Sequence, residues 1–529
     1  MDPLTGWTGR TARALQAALR LSNEAFAEHL GIGVRTVAAW HQKPSLRPRP
    51  EMQQLLDTAL EQASPAIKAR FAGLTGDSVP RIDADLDDDG AAADAERRLS
   101  TDPHIGSALD RLDQYAGWEP GTARRRVASR LARLDVRDLQ DRATRRRNID
   151  QRRIAEALGG YYRNRTRSHG RYSARYGQVS EIVTSVLIYP NWMDLDCPLS
   201  SACDRLTLTS EAAGGDPSLD EHAADAAVQR LAETLAMGTR LVDMPLYRLL
   251  DIEVTKGSIA GLLGVTQFVR YALTMDLLEG ELLDALMAGA PTRPGSLPLR
   301  DRYLPDVESV LGISGRLCAG GTLALCAIAR PASPYRGPAD YVLLIQERSG
   351  DVVNAPRRLA VIPKGFHQPM TDFRGDARIG ATLRREMEEE LFGRDDTDNT
   401  IGKPYVADPM HPTRLSEPMR WLIGSPDGLR IECTGFGLNL VSGNFEFPAL
   451  IVIDAEDFWS RYGGRVEVNW ESLSLRQYSS LDSDSLAELV HDPAWSNEGL
   501  FALLQGLRRL KQIGGNRVNV PAIEWRIAS

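Results

Sequence analysis

The stretch LSNEAFAEHLGIGVRTVAAWHQKP, residues 21–44, decides which fold the N-terminal part of the chain adopts. Ser22 is suited to cap a first helix, and Phe26 and Leu30 recur at the spacing of an inward helix face. Gly31 supplies the backbone freedom of a tight turn. A second short helix is predicted to bury three residues and to turn three others outward: Val34, Val37 and Trp40 inward, and Arg35, Thr36 and Ala39 outward. Small or polar outward residues on a helix held down by apolar ones suit a helix that enters a DNA groove.

The same stretch resembles the helix-turn-helix of the XRE (lambda-repressor-like) family. Ala27 matches the alanine that packs against the turn, and Trp40 matches the tryptophan that follows the recognition helix. The resemblance implies a double-stranded DNA partner and a set of contacts: Arg35, Thr36 and Ala39 at the bases, and Lys43, Arg47 and Arg49 beside phosphates. The alternative is a helical hairpin used for protein contacts. The basic loop after Trp40 favours DNA.

A second motif, LRREMEEELFG at residues 383–393, concentrates acidic residues. In a helix, Glu386, Glu389 and Glu390 stand at i, i+3 and i+4 and therefore share one face. Three crowded carboxylates repel one another unless a cation lies between them, and Mg²⁺ or Mn²⁺ with a diphosphate is the natural pair of ligands. The alternative is an ordinary solvated acidic helix face.

The run REMEEELFG resembles the second half of the Nudix box, and LAVIPKG at residues 359–365 is similar to the strand and turn that open it. The resemblance covers residues 315–510 and implies a Nudix α/β/α sandwich. It also implies roles for individual residues: Glu386, Glu389 and Glu390 as metal ligands, Glu386 and Arg385 in catalysis with Arg385 orienting the loop, and Lys364 and Gly365 at the nucleotide.

The box departs from the family pattern in its loop, which is longer and lacks a glutamate at the expected position. Asp372 or Asp376 is a possible substitute. Lys364 stands where the family has a glycine, and Phe392 occupies another glycine position. A general base is available among three glutamates between which the sequence does not choose: Glu446, Glu467 and Glu471.

Bulk composition limits the class of protein. The formal net charge of −8 argues against attraction of the whole surface to nucleic acid, so DNA contacts must come from a local basic patch. Five cysteines without a CxxC pair predict a reducing, cytoplasmic setting. The apolar stretch 259–278 is interrupted by Gln267 and Arg270, so no membrane-spanning helix is predicted.

The chain of 529 residues is predicted to be multidomain. We expect an all-α helix-turn-helix domain, an acidic linker, a mostly helical middle domain with a basic first part, and a C-terminal α/β/α Nudix-like sandwich: residues 1–73, 74–103, 104–300 and 301–529. Residues 124–176 combine many arginines with tyrosines, which suits either phosphate contact with base stacking or ion pairs with the acidic linker.

Together these features predict a transcriptional regulator whose Nudix-like domain senses a nucleoside diphosphate derivative. An active Mg²⁺-dependent Nudix hydrolase, localised or autoregulated by its helix-turn-helix, is an alternative. A non-enzymatic adaptor of a mobile element or defence system is another. Because one recognition helix reaches few base pairs, a homodimer assembled through the middle domain is expected.

Overall fold

The computed structural model divides the chain into two compact units, Met1–Ala91 (unit 1) and Ala92–Ser529 (unit 2). Its description covers residues 7–528 except for several short stretches: residues 20, 22, 34–35, 38, 41–45, 47, 63–66, 69–70, 72–87, 164–167, 179–180, 210–216, 349–356, 394–409, 426–427 and 464–471. No helix among the described residues is long and apolar enough to cross a membrane.

Unit 1 is built around an apolar core contributed by the helices Gly9–Leu19, Asn23–Leu30 and Pro50–Gln62. The inward residues predicted from spacing are confirmed where they are described, since these side chains are buried in one cluster: Phe26, Leu30, Val37 and Trp40. Val34 lies outside the described residues. The predicted turn begins at Gly31, whose φ of +67° favours glycine, and the N–H of Ile32 donates to the Ala27 carbonyl at 2.8 Å.

Unit 2 combines helices with two sheets. Its described helices are Asp88–Thr101 (which begins in unit 1), Ile105–Ala116, Thr122–Leu131, Val136–Arg147, Gln151–Tyr161, Glu221–Met237, Phe268–Ala272, Leu277–Met287, Pro298–Tyr303, Val307–Leu311, Ile379–Glu386, Glu417–Ile423, Glu456–Tyr462, Ser483–His491 and Asn497–Ile513. We call Asn497–Ile513 the C-terminal helix.

The strands of unit 2 are numbered in chain order: β1 Gly170–Tyr176, β2 Glu181–Ile188, β3 Met193–Pro198, β4 Asp204–Leu208, β5 Pro245–Thr255, β6 Ser258–Gln267, β7 Gly320–Arg330, β8 Asp340–Arg348, β9 Leu359–Val361, β10 Lys364–Phe366, β11 Leu429–Gly435, β12 Gly437–Asn439, β13 Phe445–Ile453, β14 Ser472–Ser479 and β15 Ile523–Ala528.

The large sheet follows the order β14-β8-β7-β13-β12-β2-β1-β15. In addition, β10 pairs with β7, β9 with β8, and β11 with both β13 and β3. The small sheet has the order β4-β6-β5. Strand β7 runs parallel to β13 and antiparallel to β8 and β10.

Helices cover both faces of the large sheet. Leu323 and Leu325 of β7 pack in one apolar cluster with Leu500 of the C-terminal helix. The alternate residue Ala324 packs in a second cluster with Leu383 of the helix Ile379–Glu386. Because successive residues of a strand point to opposite faces, these two helices lie on opposite sides of the sheet. The segment that carries the glutamates is thereby held against β7 and β10.

The predicted mostly helical middle domain, residues 104–300, differs from the structure. Strands β1–β6 fall in this range, and β1 and β2 belong to the same sheet as the strands after residue 300. The chain from Ala92 onward is one compact unit. The apolar run of β2, EIVTSVLI, fits a strand or a buried helix equally well by periodicity.

The predicted acidic linker, residues 74–103, is also corrected in part. Residues 88–101 form a helix in which Ala95 and Leu99 are buried. Alanine is the strongest helix former, and Asp94 pairs with Arg98 one turn later. Most of the remaining linker lies outside the described residues.

Several arginines of residues 124–176 form ion pairs with acidic residues of the same unit. Arg124 pairs with Glu96, as the ion-pair alternative expected. Arg142 and Arg146 pair with acidic residues of other helices, Glu233 and Asp284, and Arg147 pairs with Glu347 of strand β8. The expectation of base stacking is wrong for the tyrosines of this stretch, because all four are buried: Tyr161, Tyr162, Tyr172 and Tyr176.

Candidate functional site

The acidic motif adopts a π-helical turn. The α-helix Ile379–Glu386 continues as a π-helix over Met387–Leu391, and the whole segment, residues 379–391, is called the glutamate helix here. A π turn shifts hydrogen bonding from i→i+4 to i→i+5. The assumption of a continuous α-helix is therefore corrected: Glu386 ends the α-helix, whereas Glu389 and Glu390 stand in the widened turn that follows.

Glu386 is held by the arginine that precedes it. Nη2 of Arg385 lies 2.6 Å from Oε1 of Glu386, and both side chains are buried. The carboxylate also lies against Gly365 of β10, where a Cβ atom would stand 2.2 Å from its carboxyl carbon. A side chain at position 365 would therefore require the Glu386 carboxylate to move.

Arg385 also contacts the loop after β10. Its guanidinium donates hydrogen bonds of 3.3 Å to the carbonyls of Phe366 and Gln368. This is the contact expected of an arginine that orients the loop. Next to it, His367 is fully buried, hydrogen-bonded to Thr382 and Ala377, and burial lowers its pKa to about 3. His367 therefore stays neutral and has a structural role.

Glu390 and Lys364 are linked through the backbone. The N–H of Lys364 donates a 2.6 Å hydrogen bond to Oε2 of Glu390, which is completely buried. The ammonium of Lys364 instead pairs with Glu498 of the C-terminal helix, at 2.7 Å. Lys364, expected at the nucleotide, thus directs its charge to a carboxylate of the protein. The side chain of Glu389, the remaining expected ligand, is buried, with 7% of its surface exposed.

These contacts bear on the metal that the Nudix resemblance implies. Glu386 carries an arginine counter-charge and Glu390 accepts a backbone N–H, so two of the three expected ligands already bond to the protein. Within the described parts of the chain, no group of three His, Cys, Asp or Glu residues is arranged to hold a metal ion. A shared Mg²⁺ or Mn²⁺ site at these glutamates therefore stays a prediction.

The two aspartates proposed for the loop bond to its backbone. Oδ1 of Asp372 accepts from the N–H of Arg374 at 3.1 Å, and Oδ2 of Asp376 accepts from the N–H of Met370 at 2.8 Å. Backbone hydrogen bonds from Gly375 and Arg374 lower the pKa of Asp372. Both aspartates therefore stabilise the loop itself. Of the base candidates, Glu467 and Glu471 lie outside the described residues.

Glu446, the third base candidate, belongs to a buried polar cluster. The amide of Asn439 donates to Glu446 at 3.2 Å and to Glu498 at 3.3 Å, and Glu498 binds Lys364. Burial raises the pKa of Glu446 to about 8, and the negative charge of Glu498 adds to this rise. A carboxyl group with such a pKa exchanges a proton near neutral pH, which is the property of a general acid or base.

Two cavities differ in what they can hold. One, lined by Glu279, Arg358 and Glu498 among others, has a volume of about 20 Å³, which suits roughly one water molecule. The second is an open surface depression of about 560 Å³ beside Trp421 and Glu456. Its size lies in the range of small-molecule sites, about 300–1,000 Å³. Successive ring contacts connect this depression to the end of the glutamate helix. Trp421 contacts Phe458, and Phe458 contacts Phe392, the residue that follows the helix.

The DNA-binding surface expected in unit 1 is described in part. Thr36 and Ala39 are half-buried on the segment anchored by Val37 and Trp40, and Arg49 is exposed. The other three expected DNA contacts lie outside the described residues: Arg35, Lys43 and Arg47.

No family model matches the chain, and no curated protein matches it.

Several residues of the site were not anticipated from the sequence. Both carboxylate oxygens of Glu388 accept from Ser416, one from its N–H and one from its hydroxyl. Asn439 and Glu498 join the cluster around Lys364. A usable signal was present for Glu498, because Ser496 caps the C-terminal helix and places Glu498 in its first turn. Pairing partners distant in sequence carry no such local signal.

Proposed function

We propose that the protein is a DNA-binding transcriptional regulator that contacts double-stranded DNA through unit 1. One observation carries the proposal: Val37 and Trp40 anchor a segment that leaves Thr36 and Ala39 partly accessible, with Arg49 exposed nearby in sequence. Buried anchors with small or polar outward residues suit a helix that reads base edges, while an exposed arginine suits phosphate contact.

We further propose that unit 2 senses a nucleoside diphosphate derivative. The pairing of Glu386 with Arg385 and of Glu390 with Lys364 supports binding without turnover, because these carboxylates already serve the protein. The depression beside Trp421 supplies an aromatic ring on which a base can stack and is large enough for one. The Mg²⁺ or Mn²⁺ implied by the Nudix resemblance stays a prediction, as do a cytoplasmic location and a homodimer.

A working hydrolase is the second candidate, and Glu446 favours it. This carboxyl group has a pKa near the pH of a cell, and it lies in a buried cluster with the Lys364–Glu498 ion pair. Perturbed pKa values occur often at catalytic sites, although buried structural networks produce them too.

A coupled titration separates the candidates. Duplex DNA selected for binding from a random pool is titrated with the full chain, with and without a nucleoside diphosphate, a nucleoside diphosphate sugar or a dinucleotide, and with and without Mg²⁺. Phosphate release is followed in the same samples. A sensor changes DNA affinity about 5- to 150-fold without turnover, and the DNA changes nucleotide affinity by the same factor.

Two variants make the titration specific. Trp421→Ala is expected to abolish the effect of nucleotide on DNA affinity and to leave DNA affinity without nucleotide unchanged. Glu389→Gln is expected to weaken any part of nucleotide binding that depends on the metal. Turnover with unchanged DNA affinity would establish the hydrolase and reject the sensor. Failure to enrich any duplex in the selection would reject DNA binding itself.

A further inference from the structure

Strand β15, Ile523–Ala528, ends the large sheet. It pairs with β1 along its whole length without a register shift, from Tyr176 opposite Ile523 to Arg171 opposite Ala528. In the part of the chain that the structure describes, no strand pairs with its other side. The strand contains no proline and no bulge, which are common means of blocking an edge. It is therefore a regular edge on which another strand can pair.

One hydrogen bond shows which backbone groups of β15 point away from β1. The N–H of Gly177 donates to the carbonyl of Ala522 at 2.8 Å, so the carbonyl of residue 522 points toward β1. Backbone groups of an antiparallel strand alternate in direction from one residue to the next. Residues 523, 525 and 527 thus turn their N–H and C=O groups away from β1. One of these groups already has a partner, since the Ile523 carbonyl accepts from Arg508, and a carbonyl oxygen has a second lone pair.

The side chains along this edge alternate in character. Glu524 and Arg526 are exposed, whereas Trp525 between them is half-buried and donates its indole N–H to Asp194 at 3.0 Å. Arg526 also pairs within the chain with Glu181 of β2. Along this edge, the negative Glu524 and the positive Arg526 therefore flank Trp525, whose backbone N–H and C=O groups point away from β1.

We propose that a second copy of the chain pairs with this edge, β15 against β15, about a two-fold axis at Trp525. An antiparallel pair must place outward residues opposite outward residues. With the axis at Trp525, residue 525 faces its own copy and Glu524 faces Arg526 of the second copy, twice by symmetry. Sliding one strand along the other by two residues places Glu524 of one copy opposite Glu524 of the second copy. Sliding it by two residues in the other direction places Arg526 opposite Arg526. Since opposite charges stabilise a cross-strand pair and like charges destabilise it, the charges select one register.

This surface is not the one expected from the sequence, which assigned dimer formation to a helical middle domain. It also does not depend on DNA or nucleotide binding, because the pairing involves backbone and side-chain groups of β15 alone. The oligomeric state is therefore measured on the full chain without either ligand, and failure of this proposal leaves the proposed function untouched.

Sedimentation tests the surface first. The wild-type chain is expected to be a dimer that dissociates on dilution. Ile527→Pro removes an N–H that points away from β1, and proline is tolerated at such edge positions, so the variant is expected to be a folded monomer. Its melting temperature checks the fold. A wild-type chain that stays monomeric across the micromolar range, or a folded Ile527→Pro chain that stays dimeric, would overturn the proposal.

Disulfide trapping then tests the register. Residues 524 and 526 of opposing copies form a non-hydrogen-bonded pair, whose Cα atoms lie about 4.5 Å apart, within disulfide range. A mixture of Glu524→Cys and Arg526→Cys chains is expected to cross-link under mild oxidation, whereas either variant alone and the wild type are not. Cross-linking of one variant alone indicates a shifted register and contradicts the charge argument, and no cross-linking in the mixture contradicts the surface.

Discussion

The N–H of Lys364 donates a 2.6 Å hydrogen bond to Oε2 of Glu390, and this bond joins strand β10 to the glutamate helix. The ammonium of Lys364 pairs in turn with Glu498 of the C-terminal helix. One residue of a three-residue strand thus links helices on opposite faces of the large sheet. A ligand that displaced either contact would remove the bond between Lys364 and one of these helices, and this would be a route from binding to a change in the conformation of unit 2.

Replacing Glu386 with glutamine is expected to lower the free energy of unfolding by ~3–5 kcal/mol. The guanidinium of Arg385 is 2% exposed and would stay buried without this counter-charge. Urea denaturation measures the effect. Glu488→Gln, a change at an exposed glutamate, serves as the matched control and is expected to stay within about 0.5 kcal/mol of wild type.

A Glu386→Gln variant more stable than the wild type would point to a metal site. If the glutamates were held together for a cation, neutralising one would relieve repulsion and stabilise the metal-free protein. Added Mg²⁺ alone would then raise the melting temperature of the wild type. We expect Mg²⁺ alone to leave the melting temperature unchanged, because Glu386 already has its counter-charge in Arg385.

Glu446 is expected to make stability depend on pH. Burial raises its pKa to about 8, well above the value of an unfolded glutamate, so the folded protein binds a proton that the unfolded chain releases. Its contribution to stability is fully present below about pH 4.3 and is lost as the pH rises toward 8. Glu446→Gln removes this contribution. The difference in unfolding free energy between variant and wild type is therefore expected to change in favour of the variant between pH 5 and pH 8.5.

Other buried acids do not affect that comparison. Asp204 has a pKa raised by burial to about 6, and burial also raises the pKa of Glu279. Their titration is common to wild type and variant, so it cancels in the difference to the extent that the groups are independent. A difference that stays constant with pH would show that Glu446 ionises normally, and it would remove the observation that favours the hydrolase.

Trp40→Ala is expected to destabilise unit 1 by ~3–5 kcal/mol, as large-to-small changes in a core do. Trp40 is 2% exposed in an apolar cluster made of residues from unit 1. Calorimetry is expected to show a lower transition for unit 1 and an unchanged transition for unit 2. DNA binding is lost in parallel. A single transition that shifts as a whole would mean that the two units unfold together.

The sequence was sufficient for the core of unit 1 because its determinants are local. Phe26, Leu30, Val37 and Trp40 follow helical spacing around a glycine turn, and all four are buried as predicted. The same kind of reasoning failed for the strand β2, since a short apolar run is ambiguous between strand and buried helix.

The geometry of the acidic motif was not predictable from its spacing. Its spacing assumed an α-helix, whereas the segment widens into a π turn at Met387–Leu391. The partners of its carboxylates are set by tertiary packing: Ser416 for Glu388, and the backbone of Lys364 for Glu390. No local pattern encodes contacts between residues this far apart in the chain.

Arg49→Ala is expected to weaken binding to every duplex similarly, because a phosphate contact carries no base preference. Arg49 is exposed just before the helix Pro50–Gln62, and each neutralised phosphate contributes about 0.9 to the slope of log K against log salt. The slope for an unselected duplex should therefore fall by about that amount. Arg293→Ala, which removes the same charge from an exposed position in unit 2, is expected to leave the slope unchanged. Fluorescence anisotropy at several salt concentrations measures both variants. An equal loss of slope in both would show that net charge, rather than the helix-turn-helix surface, governs attraction to DNA.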